Sequence, residues 1–265
     1  MIKVAVCGAA GKMGREVVRA VAIQPDMKLV GACDLKAAGK DAGEVAGIEK
    51  LGVSIETDLK AMLESKKPDV VVDFTSPHAV LNNVMTILEK SHAVVGTTGL
   101  NEEDLDKIKK KTALTGFNAI ICPNFAIGAI LMMHFAKIAV RFFPDVEIIE
   151  LHHDSKLDAP SGTAVTTARL LSEFRPEQAE EKATGFKELY ACSRGADING
   201  IRVHSVRLPG LVAHQEVIFG GAGQTLTIRH DSLDRSSFMP GVLLAIRKVS
   251  ERPGLTYGLE PLLDF

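Results

Sequence analysis

The glycine-rich turn near the start of the chain constrains its fold more than any other feature. A β-branched run, Val4–Cys7, leads straight into Gly8-Ala9-Ala10-Gly11-Lys12-Met13-Gly14. From Met13 onward apolar residues recur at Val17, Val18, Val21 and Ala22, the spacing of one helix face. A strand that turns on glycines into a helix presents free backbone N–H groups at the positive end of the helix dipole, a good seat for a pyrophosphate. Side chains on the turn would hold the phosphate off, and Gly14 lets helix and strand approach closely. The spacing is G-x-x-G-x-x-G rather than G-x-G-x-x-G, so the glycines alone are a weak signal. Context strengthens them. Asp34 ends the second apolar run twenty positions after Gly14, where its carboxylate can accept hydrogen bonds from an adenosine ribose. The alternative is a tight strand-to-helix turn with an unrelated aspartate. The Asp34 carboxylate would repel a 2′-phosphate while Lys36 would tolerate one, so NADH is expected to serve at least as well as NADPH.

The first half repeats this alternation. Short apolar runs at Leu29–Cys33, Val70–Phe74, Ala93–Val95 and Ala119–Cys122 are separated by helical spacings at Leu59–Glu64, Ala79–Glu89 and Glu102–Thr112. Strand and helix in turn require a parallel sheet covered on both faces, an α/β fold of the Rossmann type. The second half differs. A strand at Glu147–Leu151, a helix at Gly162–Phe174 and a polar stretch at Arg175–Lys187 precede three strands, Ile201–Arg207, Ala213–Phe219 and Thr225–Arg229, with Pro209-Gly210 and Gly220–Gly223 as turns. Strands in succession imply a C-terminal α+β domain with a mixed or antiparallel sheet. We therefore expect a dinucleotide-binding domain over residues 1–125 and a substrate-binding and oligomerisation domain over 126–236. The segment from about 237 to 265, with a helix near Ser237–Val249, returns to the first domain. Ala37–Gly52 carries four glycines and no clear period, and reads as a mobile surface loop or a flap over cofactor.

Composition narrows the function classes. A net charge of −2 offers no general field for nucleic acid or an anionic membrane. The most apolar stretch, Phe125–Met133, is about half the length needed to span a bilayer and reads as a buried helix. Ile2–Cys7 is too short for a secretory core. Cys7, Cys33, Cys122 and Cys192 form no C-x-x-C pair, so a reduced, cytoplasmic protein is expected.

Ligands of open α/β sheets bind beyond the carboxyl ends of the strands. Phe74–His78, Gly96-Thr97-Thr98-Gly99 and Cys122-Pro123-Asn124-Phe125 all belong at that edge and extend the cofactor cleft toward the nicotinamide. The richest stretch is Glu150-Leu151-His152-His153-Asp154-Ser155-Lys156-Leu157-Asp158-Ala159-Pro160-Ser161-Gly162-Thr163-Ala164. An imidazole exchanges a proton near neutral pH, Lys156 adds a positive charge, and Ser161 is a good helix N-cap whose neighbours Gly162 and Thr163 offer N–H groups to a carboxylate. Together they suit a small dianionic substrate that must be protonated when reduced. A metal site is the rival, but adjacent His152 and His153 on a strand point to opposite faces, so none is expected. The plain alternative is two histidines at a strand end beside an ordinary capped helix. The other six histidines read as structural.

These residues resemble a known family. The glycine turn, Asp73-Phe74-Thr75, Gly96–Gly99, Asn124-Phe125 and above all the His152–Ala164 segment are similar to 4-hydroxy-tetrahydrodipicolinate reductases, formerly called dihydrodipicolinate reductases, in order along nearly the whole chain. The resemblance implies NAD(P)H-dependent reduction of a cyclic imine dicarboxylate in lysine and diaminopimelate biosynthesis, by a homotetramer assembled through the C-terminal sheet. It implies His152 as the acid/base group and Lys156 as proton donor or polarising cation. It places His153, Ser161, Gly162 and Thr163 on the substrate. Gly8, Ala9, Ala10, Gly11, Lys12, Met13, Asp34, Gly96, Thr97, Thr98, Cys122, Pro123, Asn124 and Phe125 would hold the cofactor. Two departures stand out. Leu35 occupies the place after the ribose-binding acid where some members carry arginine, and Asp154-Ser155 replaces a more basic segment. Two rivals remain. One is a semialdehyde-type dehydrogenase, which would need Cys122 as its nucleophile. The other is a dinucleotide-sensing module without turnover.

Overall fold

The computed structural model describes residues 1–176 and 187–264, so most of the polar stretch Arg175–Lys187 lies outside the described residues. Along the chain run β1 (Ile2–Cys7), α1 (Lys12–Ala22), β2 (Met27–Cys33), α2 (Ala42–Ala46), β3 (Ile55–Glu56), α3 (Leu59–Lys66), β4 (Val70–Asp73), α4 (Val80–Ile87), β5 (His92–Val95), α5 (Glu102–Thr115) and β6 (Ala119–Ile121). They are followed by α6 (Ile127–Ala139), β7 (Asp145–His152), α7 (Gly162–Phe174), β8 (Ala196–Ile198), β9 (Ile201–Arg207), β10 (Ala213–Gly221), β11 (Gln224–Ser232), α8 (Met239–Lys248) and β12 (Leu255–Tyr257). Two compact units result, one from residues 1–127 with 235–265 and one from 128–234.

The first unit is built on a seven-stranded sheet in the order β12-β6-β5-β4-β1-β2-β3, with every pairing parallel. Its central strands are apolar on both faces because helices cover both; Val4, Ala5, Val6, Val71, Val72, Ala93 and Val94 are fully buried. The winding reverses between β1 and β4. The loops leaving the two strands splay apart there and open a crevice at the carboxyl edge. The buried Asp73 carboxylate, at the end of β4, ties that edge together. It accepts from the Thr75 amide and hydroxyl, from Thr97 Oγ1 at 2.6 Å across on the β5 loop, and from Asn83 of α4.

The second unit holds a five-stranded mixed sheet, β11-β10-β7-β9-β8, in which β7 and β9 are parallel and the other pairs antiparallel. Along β7, Val146, Ile148 and Glu150 are buried while Glu147, Ile149 and Leu151 are half-buried, the period-two signature of a sheet covered on one side. Ile148, Val203, Val217 and Phe219 pack with Ala136, Ala164, Ala168 and Leu171 of α6 and α7.

Two expectations need correction, and three short strands had not been expected. The apolar stretch ending at Met133 continues as α6 to Ala139, and only one face is buried; Phe135 and Ile138 are about half exposed. Ala37–Gly52 is not an irregular loop. Asp41 folds it, since its carboxylate accepts backbone N–H bonds from Gly43, Glu44, Leu51 and Val53 at 2.8–3.3 Å, capping α2 and closing the segment. A short helix dominated by small residues shows no amphipathic period, which is why the pattern was silent. β3, β8 and β12, of two or three residues each, are likewise too short to alternate. Losing the cap in Asp41→Ala should cost about 1–2 kcal/mol, read as a lower urea midpoint at unchanged slope; an unaltered midpoint would show that the segment is held by other means.

Candidate functional site

The first unit carries a cleft of about 690 Å³ at its switch point, lined among others by Gly8, Ala10, Gly11, Lys12, Arg15, Asp34, Lys36, Phe74 and Thr75. The turn is shaped by its glycines. Gly8 has φ +78°, and an added Cβ would meet the Phe74 carbonyl at 2.3 Å; a Cβ on Gly14 would come within 2.0 Å of the Gly8 carbonyl oxygen. Inside the turn, the Gly8 and Ala9 amides donate to Cys33 and the Gly11 amide to Gly8. The first amides of α1, from Lys12, Met13 and Gly14, have no intrahelical partner, and no side chain caps this helix. By contrast α2, α3, α5 and α7 all carry side-chain caps. An uncapped helix start facing a cleft suits a pyrophosphate. Asp34 is held by the turn itself: Oδ2 accepts from Ala10 N at 2.9 Å and Oδ1 from Lys36 N at 2.8 Å. Each oxygen keeps a lone pair for a ribose hydroxyl. The residues present therefore fit a dinucleotide.

The remaining expected cofactor residues lie farther along the same edge. Gly96, Thr97 and Thr98 follow β5, and Cys122, Pro123, Asn124 and Phe125 follow β6. From β2 to β6 are four strand spacings, ~19 Å at about 4.8 Å each, enough for an extended ligand. Thr97 is buried and serves Asp73; Phe125 is buried, with its ring 5.8 Å from that of Phe74; Asn124 Oδ1 accepts from Ala126 N. Ala9 and Cys122 are buried, so only their backbones can face a ligand.

The second unit gathers the other group at the end of β7. Glu150 has no exposed side-chain surface, and its carboxylate is fully engaged. Arg207 Nη2 donates to Oε1 at 2.7 Å and Nη1 to Oε2 at 2.9 Å. The Ser161 amide donates to Oε1 at 3.2 Å, and His152 Nδ1 lies 2.5 Å from Oε2. Burial holds the His152 imidazole below its ordinary pKa, with Lys156 and Arg207 pushing the same way against Glu150. Burial alone would raise Glu150, but Arg207, Ser205 and His152 outweigh it and keep the carboxylate ionised. Lys156 Nζ pairs with the exposed Asp158 at 2.6 Å, and His153 Nδ1 meets Ser155 Oγ at 2.8 Å. Ser161 is not at the open surface. It is buried, its hydroxyl accepts from Ala164 N at 3.2 Å, and it acts as the cap of α7, leaving Gly162 and Thr163 at the helix start. Among the described residues no metal-binding cluster of His, Cys, Asp and Glu occurs. His92, His204 and His214 have partners inside the fold, Asn118, Glu147 and Asp231 respectively.

Sequence reasoning named Glu150 and Asp158 but gave them no role, and it assigned nothing to Arg207 or Arg15. Arg207 lies fifty-five residues beyond His152 with no local motif. Glu150 did carry a signal, since it shares the inward parity of Val146 and Ile148, and a charge there must be paired.

Two family models match the chain, "Dihydrodipicolinate reductase, N-terminus" over residues 2–125 and "Dihydrodipicolinate reductase, C-terminus" over 128–263. The chain belongs to the dihydrodipicolinate reductase family. It is 51% identical over 262 residues to the 4-hydroxy-tetrahydrodipicolinate reductase of Syntrophomonas wolfei, covering 98% of both chains. It is 53% identical over 264 residues to that of Listeria innocua, covering 99% and 100%. Among solved structures, the dipicolinate-bound dihydrodipicolinate reductase of Paenisporosarcina sp. TG-14 superposes with a TM-score of 0.89 at 46% identity, covering 99% of this chain and 100% of that one.

Membership of the dihydrodipicolinate reductase family accords with the thiol chemistry. A thiol nucleophile of the aldehyde-dehydrogenase kind would need an accessible, acidic Cys122, yet that side chain is buried and its pKa is pushed up to about 12 by burial. Iodoacetamide at about pH 8 should alkylate the exposed Cys192 and leave Cys122 intact, as peptide mass spectrometry would show. Fast labelling of Cys122 with loss of activity would revive the thiol mechanism.

Proposed function

We propose that this chain reduces the cyclic imine dicarboxylate 4-hydroxy-tetrahydrodipicolinate to tetrahydrodipicolinate in lysine and diaminopimelate biosynthesis, with His152 as proton donor. What carries the proposal is the convergence, at one strand end, of an oriented imidazole, an ammonium and a capped helix start. The reaction needs two acidic groups held, one electron pair quenched and a dinucleotide bound, and the residues divide accordingly.

Loss of the 4-hydroxyl as water gives a conjugated ring, to which a bound reduced nicotinamide would supply a hydride equivalent. The uncapped start of α1 with Gly8, Ala9, Ala10, Gly11, Lys12 and Met13 receives the pyrophosphate, and Asp34 holds the ribose hydroxyls. The β5 and β6 loops, Gly96, Thr97, Thr98 and 122–125, line the nicotinamide end. Asp34 supports NADH as at least as good a donor as NADPH, while Arg15 and Lys36 in the same cleft keep a 2′-phosphate tolerable. The amides of Gly162 and Thr163 at the start of α7 bind one substrate carboxylate. Lys156 and His153 bind the other, with Lys156 exchanging Asp158 for the ligand. His152, its Nδ1 turned to Glu150, offers Nε2 to the ring atom that receives the electron pair. A dicarboxylate beside His152 raises the imidazole's pKa from its depressed resting value, so the donor becomes charged as substrate arrives.

The face of the mixed sheet opposite α6 and α7, carrying the half-buried Ile149 and Leu151, supports a homotetramer assembled through it. No helix among the described residues is long and apolar enough to cross a membrane, and buried free thiols suit a reducing cytoplasm.

His152→Gln should lower kcat about 10²–10⁴-fold while leaving the NADH dissociation constant unchanged. Lys156→Ala should raise substrate KM as well as lower kcat. Because protonated His152 is the working form, kcat/KM should fall as pH rises through a value below the ordinary ~6.5. In kcat, measured with substrate bound, the same limb should lie at higher pH. Steady-state assays with substrate made in situ from pyruvate and aspartate semialdehyde check all of this, and normal turnover by both variants would overturn the assignment.

A further inference from the structure

We infer that Glu150 and Arg207 form a positioning pair for His152, in which the buried carboxylate fixes the orientation and tautomer of the imidazole and the guanidinium balances the carboxylate's charge. This rests on the proposed role of His152 as proton donor. Glu150 lies two residues before His152 on β7, and Arg207 ends β9 directly opposite His152 in the parallel register. A carboxylate clamped by both guanidinium Nη atoms is ionised and can only accept, so the ring atom 2.5 Å from Oε2 must carry its proton there. Nδ1 is thereby occupied, and Nε2 is the nitrogen left for substrate. The same guanidinium donates through Nη2 to the Asp158 carbonyl at 2.7 Å, fixing the segment that carries Lys156. One ion pair thus sets the direction of the imidazole and the base of the ammonium.

Arg207 has a second effect. An unneutralised Glu150 in contact with the ring would hold the imidazolium strongly and make its proton hard to release. Besides Glu150 on β7, the charged groups acting on the ring are Arg207 from β9 and Lys156 from the β7–α7 loop, with Asp158 beyond it. β10 presents Ala213 opposite His152, and α7 presents its uncharged start. Removing either partner therefore moves the titration in opposite senses. Glu150→Gln keeps an acceptor for Nδ1 but leaves Arg207 unopposed; Arg207→Gln leaves Glu150 unopposed.

Histidine ¹⁵N NMR titration of the ligand-free protein, with kcat/KM pH profiles alongside, tests the pair. In the unsubstituted protein, neutral His152 should carry its proton on Nδ1, a readout that needs no variant to fold. In Glu150→Gln the His152 titration and the kcat/KM limb should move acid by about one pH unit, and in Arg207→Gln alkaline by a similar amount. Both variants should lose about ten- to a hundredfold in kcat with smaller changes in KM. A neutral ring protonated on Nε2, or limbs that stay put or move the same way in both variants, would overturn the proposal. His152→Gln, assayed in parallel, separates the two ideas. Normal turnover there would sink the proton-donor role, whereas the tautomer and the opposed shifts report on the pair alone.

Discussion

One buried carboxylate organises the second unit. A glutamate with no exposed side-chain surface is tolerable only when its charge and its lone pairs are met, and at Glu150 each partner comes from a different place: Arg207 from β9, Ser161 from the start of α7, His152 from two residues along its own strand. Satisfying that one group therefore draws together a strand, a helix start and an imidazole that are distant in sequence. Removing one partner from such a pair commonly costs about 3–5 kcal/mol, so the arrangement resists drift. Asp73 does similar work at the carboxyl edge of the parallel sheet, where one buried carboxylate joins the β4 and β5 loops and α4. In each unit the strands deliver the loops and a buried acid sets their relative position.

Electrostatics then distinguishes resting from working states. Without ligand, burial disfavours the charged form of the His152 imidazole, and Lys156 and Arg207 push the same way against Glu150. Lys156 meanwhile rests on Asp158. Under the roles proposed for His152 and Lys156, a dianionic ligand would change both at once, adding negative charge beside the imidazole and competing for the ammonium, so that the substrate's own charge would prepare the proposed proton donor.

The sequence was informative wherever a physical signal was local and repeated. The glycine turn, the alternation of strand and helix, and the Ser161 cap beginning α7 at Gly162 could all be read directly, because each depends on neighbours a few residues apart. The inward parity of Val146, Ile148 and Glu150 went unread, although it marks Glu150 as a buried charge in need of a cation. What could not be read was the cation's identity, since Arg207 reaches Glu150 only through the parallel pairing of β7 with β9. Asp41 posed the opposite difficulty: it folds Ala37–Gly52 through four backbone amides, and nothing in an apolar pattern records such bonds. The run Phe125–Met133 was expected to be wholly buried, yet Ile127, Ile130 and Leu131 are only half-buried, because an apolar run alone does not say which side is covered.

The central claim is that His152, aimed by Glu150, meets the ring of a dicarboxylate whose acidic groups rest on Lys156 and the start of α7. A crystal structure of this protein with reduced nicotinamide dinucleotide and dipicolinate tests it most directly. The account predicts His152 Nε2 turned to the dipicolinate ring, with Lys156 Nζ and the Gly162 or Thr163 amide within about 3.2 Å of its carboxylates. Dipicolinate bound elsewhere, or bound with the imidazole turned out to solvent and Lys156 still on Asp158, would contradict it.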